Sequence, residues 1–169
     1  GESVIWHCKC DCGNECDVSR SNLVYSRVLS CGCLTKSTGE ENIISILQNN
    51  NITFISEKIF DDFVYEDTKA HPRYDFYLPD MNTIIEVNGQ QHYYEVWGGR
   101  AGLLKQQEND RKKISYALAN KITMYSIPYW EIDKLKTSDD LFNKKFLTKD
   151  KWFNDKIWRE YQKDRTIEK

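Results

Sequence analysis

The chain has 169 residues, 40 % of them apolar, with 5 Trp, 10 Tyr and 7 Phe. That content can bury a core and excludes an intrinsically disordered chain, and the absence of any run of 18 apolar residues excludes a membrane-spanning helix. The net charge of −2 conceals three unlike stretches, net 0 over residues 1–36, −6 over 37–133 and +4 over 134–169.

An acidic middle repels phosphate unless cations sit in it. The basic end reads first as a solvated helix surface, although it would also attract a polyanion.

All 6 Cys lie between residues 8 and 33. Residues 1–36 have too few apolar side chains to fold on a core of their own. Two C-x-C pairs, Cys10–Cys12 and Cys31–Cys33, stand beside glycines and suit a tetrahedral zinc site. A disulfide framework is the alternative, disfavoured where no secretion signal precedes the cysteines. The first residue is Gly rather than Met, which reads as a chain with a region upstream.

Lys36 to Gly39 reads as a linker. Glu40 opens an amphipathic helix carrying Ile43, Ile44, Ile46 and Leu47, which ends near Asn49–Asn51. Residues 52–55 and 58–64 read as strands. Residues 73–78 and 83–87 are clearer strands, joined by a turn over Pro79–Asn82. A helix is expected over 103–119, with Asn120 at its end, and a strand over 122–127, stopped by Pro128. The order αβββαβ predicts an α/β fold, a mixed sheet with helices packed against it. Residues 134–169 read as a basic, aromatic helical extension without evident chemistry.

The chemistry concentrates on the hairpin 73–87. If its turn centres on Asp80–Met81, opposed residue numbers sum to 161 and Asp75 faces Glu86. Opposed residues share a sheet face, so two like charges meet there at a cost that a divalent cation between them would reverse. Beyond Glu86, Asn88, Gln90 and His92 supply hydrogen-bonding groups, and His92 or Gln90 offers a general base. Asp110 falls on the apolar face of the 103–119 helix, where a carboxylate needs a partner. Arg111, Lys112 and Lys113 beside it read as solvated. Glu40 stands at a helix N-terminus, which favours any acidic residue. Several carboxylates around Mg²⁺ or Mn²⁺, with an imidazole nearby, suit hydrolysis of a phosphodiester.

The segments R73-Y-D-F-Y-L-P79 and I84-I-E-V-N-G-Q-Q-H92 resemble the D…E-x-[D/N]-G-x-Q-H signature of PD-(D/E)xK nucleases. The similarity is greatest to the very-short-patch-repair-like and phage homing-type branches and extends over residues 38–133. It implies a restriction-endonuclease-like core, with Asp75 and Glu86 as the main metal ligands and Glu40 supporting them. Asp110 and His92 would take the acidic and histidine positions of that branch. The chain departs from the pattern at Asn88, where the lysine of E-x-K is expected. Gln90 or His92 would then take its role, or Lys105 or Lys112 would orient the phosphate.

Separately, C-D-C-G…S-C-G-C resembles zinc modules found beside nuclease domains in phage proteins. It favours Cys10, Cys12, Cys31 and Cys33 as ligands, with Cys8 able to replace Cys10 and Cys16 spare. Ser26 departs from the Gly common there.

These readings imply a metal-dependent DNA endonuclease of a phage or mobile element, or a very-short-patch-repair-like enzyme, acting in the cytoplasm of a bacterium or infected host. The alternative is a catalytically inactive nuclease-fold protein that binds DNA. A third reading is a zinc-stabilised protein-interaction module. A homodimer is compatible with either nuclease-fold reading. Because the core is acidic, DNA contacts are assigned to Arg20, Asn22 and Arg27 between the cysteine pairs, to the basic 134–169 end, and to Arg73, Arg100, Lys105 and Lys112. Elemental analysis of protein purified without added metal is expected to give about one zinc per chain. A metal-free protein holding three disulfides would remove that reading.

Overall fold

In the computed structural model, residues 4–10, 13, 15–25, 30, 31, 38–96 and 98–148 are described. They form one six-stranded mixed sheet, β1 (Ile5–Lys9), β2 (Glu15–Ser19), β3 (Ile55–Ile59), β4 (Arg73–Leu78), β5 (Thr83–Asn88) and β6 (Thr123–Pro128), ordered along the sheet as along the chain. The β2–β3 and β5–β6 pairs are parallel and the other three antiparallel. The helices are α1 (Arg20–Val24), α2 (Thr38–Asn49), α3 (Gly99–Ala119) and α4 (Ser138–Leu141), supplemented by short 3-10 turns. No helix among the described residues is long and apolar enough to cross a membrane.

The α/β class and the mixed sheet are as the sequence predicts. Each face of the sheet carries its own core. Ile43, Ile46 and Leu47 of α2 pack with Phe76, Leu78, Ile85 and Ile127. Ile114 and Ala117 of α3 pack with Tyr74, Ile84, Ile122 and Met124. Adjacent residues such as Ile84 and Ile85 point to opposite faces of a strand, so the two helices cover opposite faces. Fully burying such a side chain contributes roughly 1.5–3 kcal/mol, and the aliphatic spacing of α2 delivers three of them to one face.

Three differences from the sequence expectations have physical causes. The two strands expected over 52–55 and 58–64 are one strand, β3. Beyond it, Phe60 and Phe63 fold back onto Tyr74 and Tyr116, with the Phe63 and Tyr116 rings stacked at 4.4 Å. Aromatic burial, not strand pairing, places that segment. The cysteine segment contributes a hairpin, β1–β2, whose inner strand pairs with β3. A boundary at residue 36 is therefore not an edge of the sheet. Finally, residues 134–148 are not an appended helix. Leu135, Leu141 and Phe146 are buried in the α2 core, Leu147 bridges Tyr125, and the Thr148 amide donates to the Met124 carbonyl at 2.8 Å. The rest of the expected extension, 149–169, lies outside the described residues.

Leu141 is fully buried. Leu141→Ala is expected to cost about 2–5 kcal/mol in urea denaturation, as for a core leucine. A loss below about 1 kcal/mol would return residues 134–148 to the status of an appendage.

Candidate functional site

The hairpin β4–β5 has the register anticipated from its turn. Phe76, Tyr77 and Leu78 pair with Ile85, Ile84 and Thr83, closed by a four-residue turn that ends on Asn82 in the left-handed conformation. The next position sets Asp75 against Glu86. There the backbone pairing gives way to side chains. The Asp75 amide donates to Glu86 Oε1 at 3.1 Å, and the Val87 amide donates to Asp75 Oδ2 at 2.7 Å. Each carboxylate thus replaces a carbonyl that the ladder would have supplied.

The same row runs across the whole sheet. His7 pairs with Asp17, and Glu86 pairs with Ser126. The β2–β3 pairing ends at Cys16–Ser56, one position before Asp17 and Glu57. The β3–β4 pairing skips Glu57 and Asp75 and resumes at Lys58–Tyr74. His7, Asp17, Glu57, Asp75, Glu86 and Ser126 therefore occupy successive positions on six neighbouring strands, roughly 4.8 Å apart. Glu57 has φ +54°, left-handed backbone that a non-glycine residue rarely adopts. Tyr74 packs on the α3 face and Phe76 on the α2 face, although residues two apart in a regular strand share a face. Strand β4 turns over at Asp75.

Four acidic residues in a row repel one another, and most have a cation. Lys58 Nζ meets Asp17 at 2.9 Å, Arg73 meets Glu57 at 3.6 Å, and Lys113 Nζ meets Glu86 Oε2 at 2.8 Å. Among the described residues Asp75 has no ion pair. Its carboxylate lies beside those of Glu40 and Glu57, the ligand atoms of all three within 4.8 Å of one another. Burial pushes the Asp75 carboxyl well above its usual range, and the Glu86 charge pushes it further, against the opposing pull of Lys113. Burial also raises Glu86, with Lys113 opposing. Burial works against the Lys113 charge, yet Glu86 and Asp75 hold its ammonium above the ordinary lysine value. The carboxylates offer hard oxygen donors, and the one without a cationic partner sits among them. The set fits Mg²⁺ or Mn²⁺.

Lys113 is the residue that sequence reasoning missed. Its place in the run with Arg111 and Lys112 predicts a solvated side chain, but that side chain is 13 % exposed and its Nζ lies 4.8 Å from the Tyr74 ring centre. A signal existed. Lys113 stands three residues beyond Asp110, hence on the same helix face. Glu57 was also missed, because a left-handed residue inside a strand leaves no mark on the apolar pattern.

His92 and Asp110 are brought together as a buried pair, with Nδ1 and Oδ2 at 2.7 Å. Gln106 donates to the other Asp110 oxygen at 3.0 Å. An ionised Asp110 accepts from Nδ1–H, which leaves the Nε2 lone pair available. Glu86, Asn88, Asp110, Lys113 and Ser126 line a cavity of about 10 Å³, room for a single water between this pair and the Glu86–Lys113 pair.

The other predicted residues lie elsewhere. Gln90 is exposed on the 3-10 turn after β5. Lys105 and Lys112 are both engaged by Asp67 and Glu108 on the surface. Arg100 is exposed at the start of α3, and Arg20 is exposed on α1 beside the half-buried Asn22. Arg27 lies outside the described residues, as do the zinc candidates Cys12 and Cys33. Cys16, read as spare, is buried with Cys31 and Val18, and Cys8 and Cys10 pack against them. Burial, then the neighbouring Cys8 and Cys10, pushes the Cys16 thiol up to about 11.

Comparison with protein families, curated proteins and solved structures finds no match to the chain.

Both central carboxyls have folded pKa values raised above their ordinary 3.8 and 4.5. Their contribution to stability is therefore full below those values and is lost as pH rises through the raised ones. Metal-free protein is expected to lose stability from about pH 4 upward, and Asp75→Asn to flatten that loss. At neutral pH in chelator the variant should melt about 2–4 °C higher, corresponding to about 1 kcal/mol in a chain of this size. A lower melting temperature for Asp75→Asn under those conditions would contradict the like-charge account.

Proposed function

We propose that the chain is a divalent-metal-dependent endonuclease that hydrolyses a phosphodiester bond of DNA. The observation that carries this reading is the half-buried Asp75, which has Glu86 opposite it, Glu40 and Glu57 within reach of one cation, and no ion pair of its own among the described residues. The likeness of residues 73–92 to the PD-(D/E)xK signature supports it from the sequence side.

Asp75, Glu40 and Glu57 would hold Mg²⁺ or Mn²⁺, with Glu86 at the margin of the same site. When bound, such an ion polarises a phosphoryl oxygen and lowers the pKa of bound water. Lys113 supplies the positive charge that the sequence motif lacks at Asn88. Its ammonium beside Glu86 is placed to stabilise negative charge growing on a phosphate. Its burial strengthens that interaction, because little water screens it. His92 accepts a proton at Nε2, while Asp110 holds the ring through Nδ1 and stabilises the imidazolium that forms. A water in the Asn88 cavity would connect the two pairs.

DNA affinity has to come largely from outside the acidic 37–133 stretch. Arg20 and Asn22 on α1, together with Arg27, remain the candidates for reading bases. Arg100 is an exposed cation on the core, whereas Arg73 would first have to leave Glu57, and Lys105 and Lys112 would have to leave Asp67 and Glu108. A zinc ion on the cysteine hairpin is proposed as structural, its ligands drawn from Cys8, Cys10, Cys12, Cys16, Cys31 and Cys33.

Supercoiled plasmid incubated with Mg²⁺ tests the reading. Wild type is expected to nick or linearise it, and Asp75→Asn to abolish cleavage while retaining DNA binding. Glu86→Gln should also abolish cleavage but strands Lys113 without its counter-charge, so it is expected to lose stability as well. Lys113→Met should lower the rate by about 10²-fold or more. His92→Ala should lower it by about 10²–10⁴-fold and remove the lower limb of the pH–rate profile. Plasmid bound but never cut, with any divalent metal, would favour the inactive DNA-binding alternative.

A further inference from the structure

Asp17 is a buried carboxylate that the proposed reaction does not use. It lies on β2 and is 5 % exposed. Its Oδ1 meets His7 Nδ1 at 2.7 Å. Its Oδ2 meets Lys58 Nζ at 2.9 Å and accepts the Ile59 amide at 3.3 Å. Its hydrogen bond raises the pKa of His7, against the effect of burial.

The place of these contacts in the sheet matters. Asp17 stands at the register position opposite Glu57, where the β2–β3 pairing has just ended. Left-handed backbone is strained for a residue such as Glu57. It persists only where the surroundings over-determine it. The two residues that follow Glu57 are both tied to Asp17, Lys58 by its ammonium and Ile59 by its amide. A side chain from the cysteine hairpin thus fixes the backbone on the far side of the interruption.

We propose that Asp17 is a positioning residue for the metal-binding carboxylates, holding the chain after Glu57 so that the Glu57 carboxylate stays beside Asp75 and Glu40. This rests on the metal-dependent reading above. It gives the cysteine hairpin a second role, because the segment that completes the sheet also sets the geometry of the metal site. Outer partners that orient ligands in this way typically matter to metal affinity by about 10–100-fold.

Mn²⁺ binding to the whole chain, followed by titration calorimetry and electron paramagnetic resonance, tests the proposal. Wild type is expected to bind Mn²⁺ at a site that Asp75→Asn abolishes. If wild type lacks such a site, the metal-dependent reading fails and this inference with it. Where the site is present, Asp17→Asn is expected to raise the Mn²⁺ Kd by about tenfold or more, with kcat at saturating metal within about threefold of wild type. A residue that only stabilised the fold would lower the melting temperature and leave the Kd of the folded protein unchanged. His7→Phe, at a half-exposed position, and Lys58→Met should move the Kd in the same direction and serve if Asp17→Asn does not fold. An unchanged Kd in folded Asp17→Asn, or in both other variants where it does not fold, overturns the proposal.

Discussion

The structure depends on one row of side chains that crosses the sheet at right angles to its strands. Four of the six positions, Asp17, Glu57, Asp75 and Glu86, are acidic, and they occupy neighbouring strands roughly 4.8 Å apart. A row of this kind opposes its own formation, because like charges directly opposite destabilise a sheet. It is tolerated because each carboxylate is given something to hold. Asp17 has a histidine, a lysine and an amide, Glu57 has an arginine, and Glu86 has a buried lysine. Among the described residues Asp75 has only the Val87 amide. A structural salt-bridge network would have closed this gap, and the gap is what distinguishes the row from one.

Part of this was legible in the residues. The β4–β5 register follows from alternation and from a four-residue turn, and a slip of one residue would have moved every apolar side chain to the wrong face. The facing of Asp75 and Glu86 was therefore strongly specified. The partner of Asp110 was legible only as a need, since a carboxylate at that helical spacing requires one, and His92 meets it. What escaped reading depends on departures from period. Glu57 breaks a strand without a glycine or proline to announce it. The Lys113 side chain lies along the helix face it shares with Asp110, hidden in a run of three basic residues that looks solvated. The hairpin of the cysteine segment leaves no alternating apolar pattern, since β1 is mostly exposed and β2 is buried at three consecutive positions.

The distribution of cations follows the same logic. Of the lysines on α3, Lys105 and Lys112 meet Asp67 and Glu108 at the surface, where solvent screens the pairs and leaves them worth little. Lys113 alone reaches the buried row. Lys112 and Lys113, adjacent in sequence, thus differ in energetic weight, because the helix turns them into different dielectric surroundings. Net charge, which is −6 over residues 37–133, does not reveal this, since the field at a site is set by the few charges water cannot reach.

The interruption of β3 and β4 also explains how one row serves two faces. In a regular sheet, opposed carboxylates would all point to one side, and α2 and α3 could not both address them. Here Tyr74 and Phe76 fall on opposite faces, so β4 turns over at Asp75. Asp75 lies beside Glu40 of α2 and Glu57, while its neighbour Glu86 meets Lys113 of α3 and the cavity that leads to Asp110. Strain at Glu57 and lost ladder bonds at Asp75 are the cost of bringing acidic side chains from one face close to a lysine from the other. Such a cost persists only where neighbouring contacts over-determine the geometry. The Asp17 contacts and the cross-bonded amides of Asp75 and Val87 are those contacts, and they come from the strands on either side of the break.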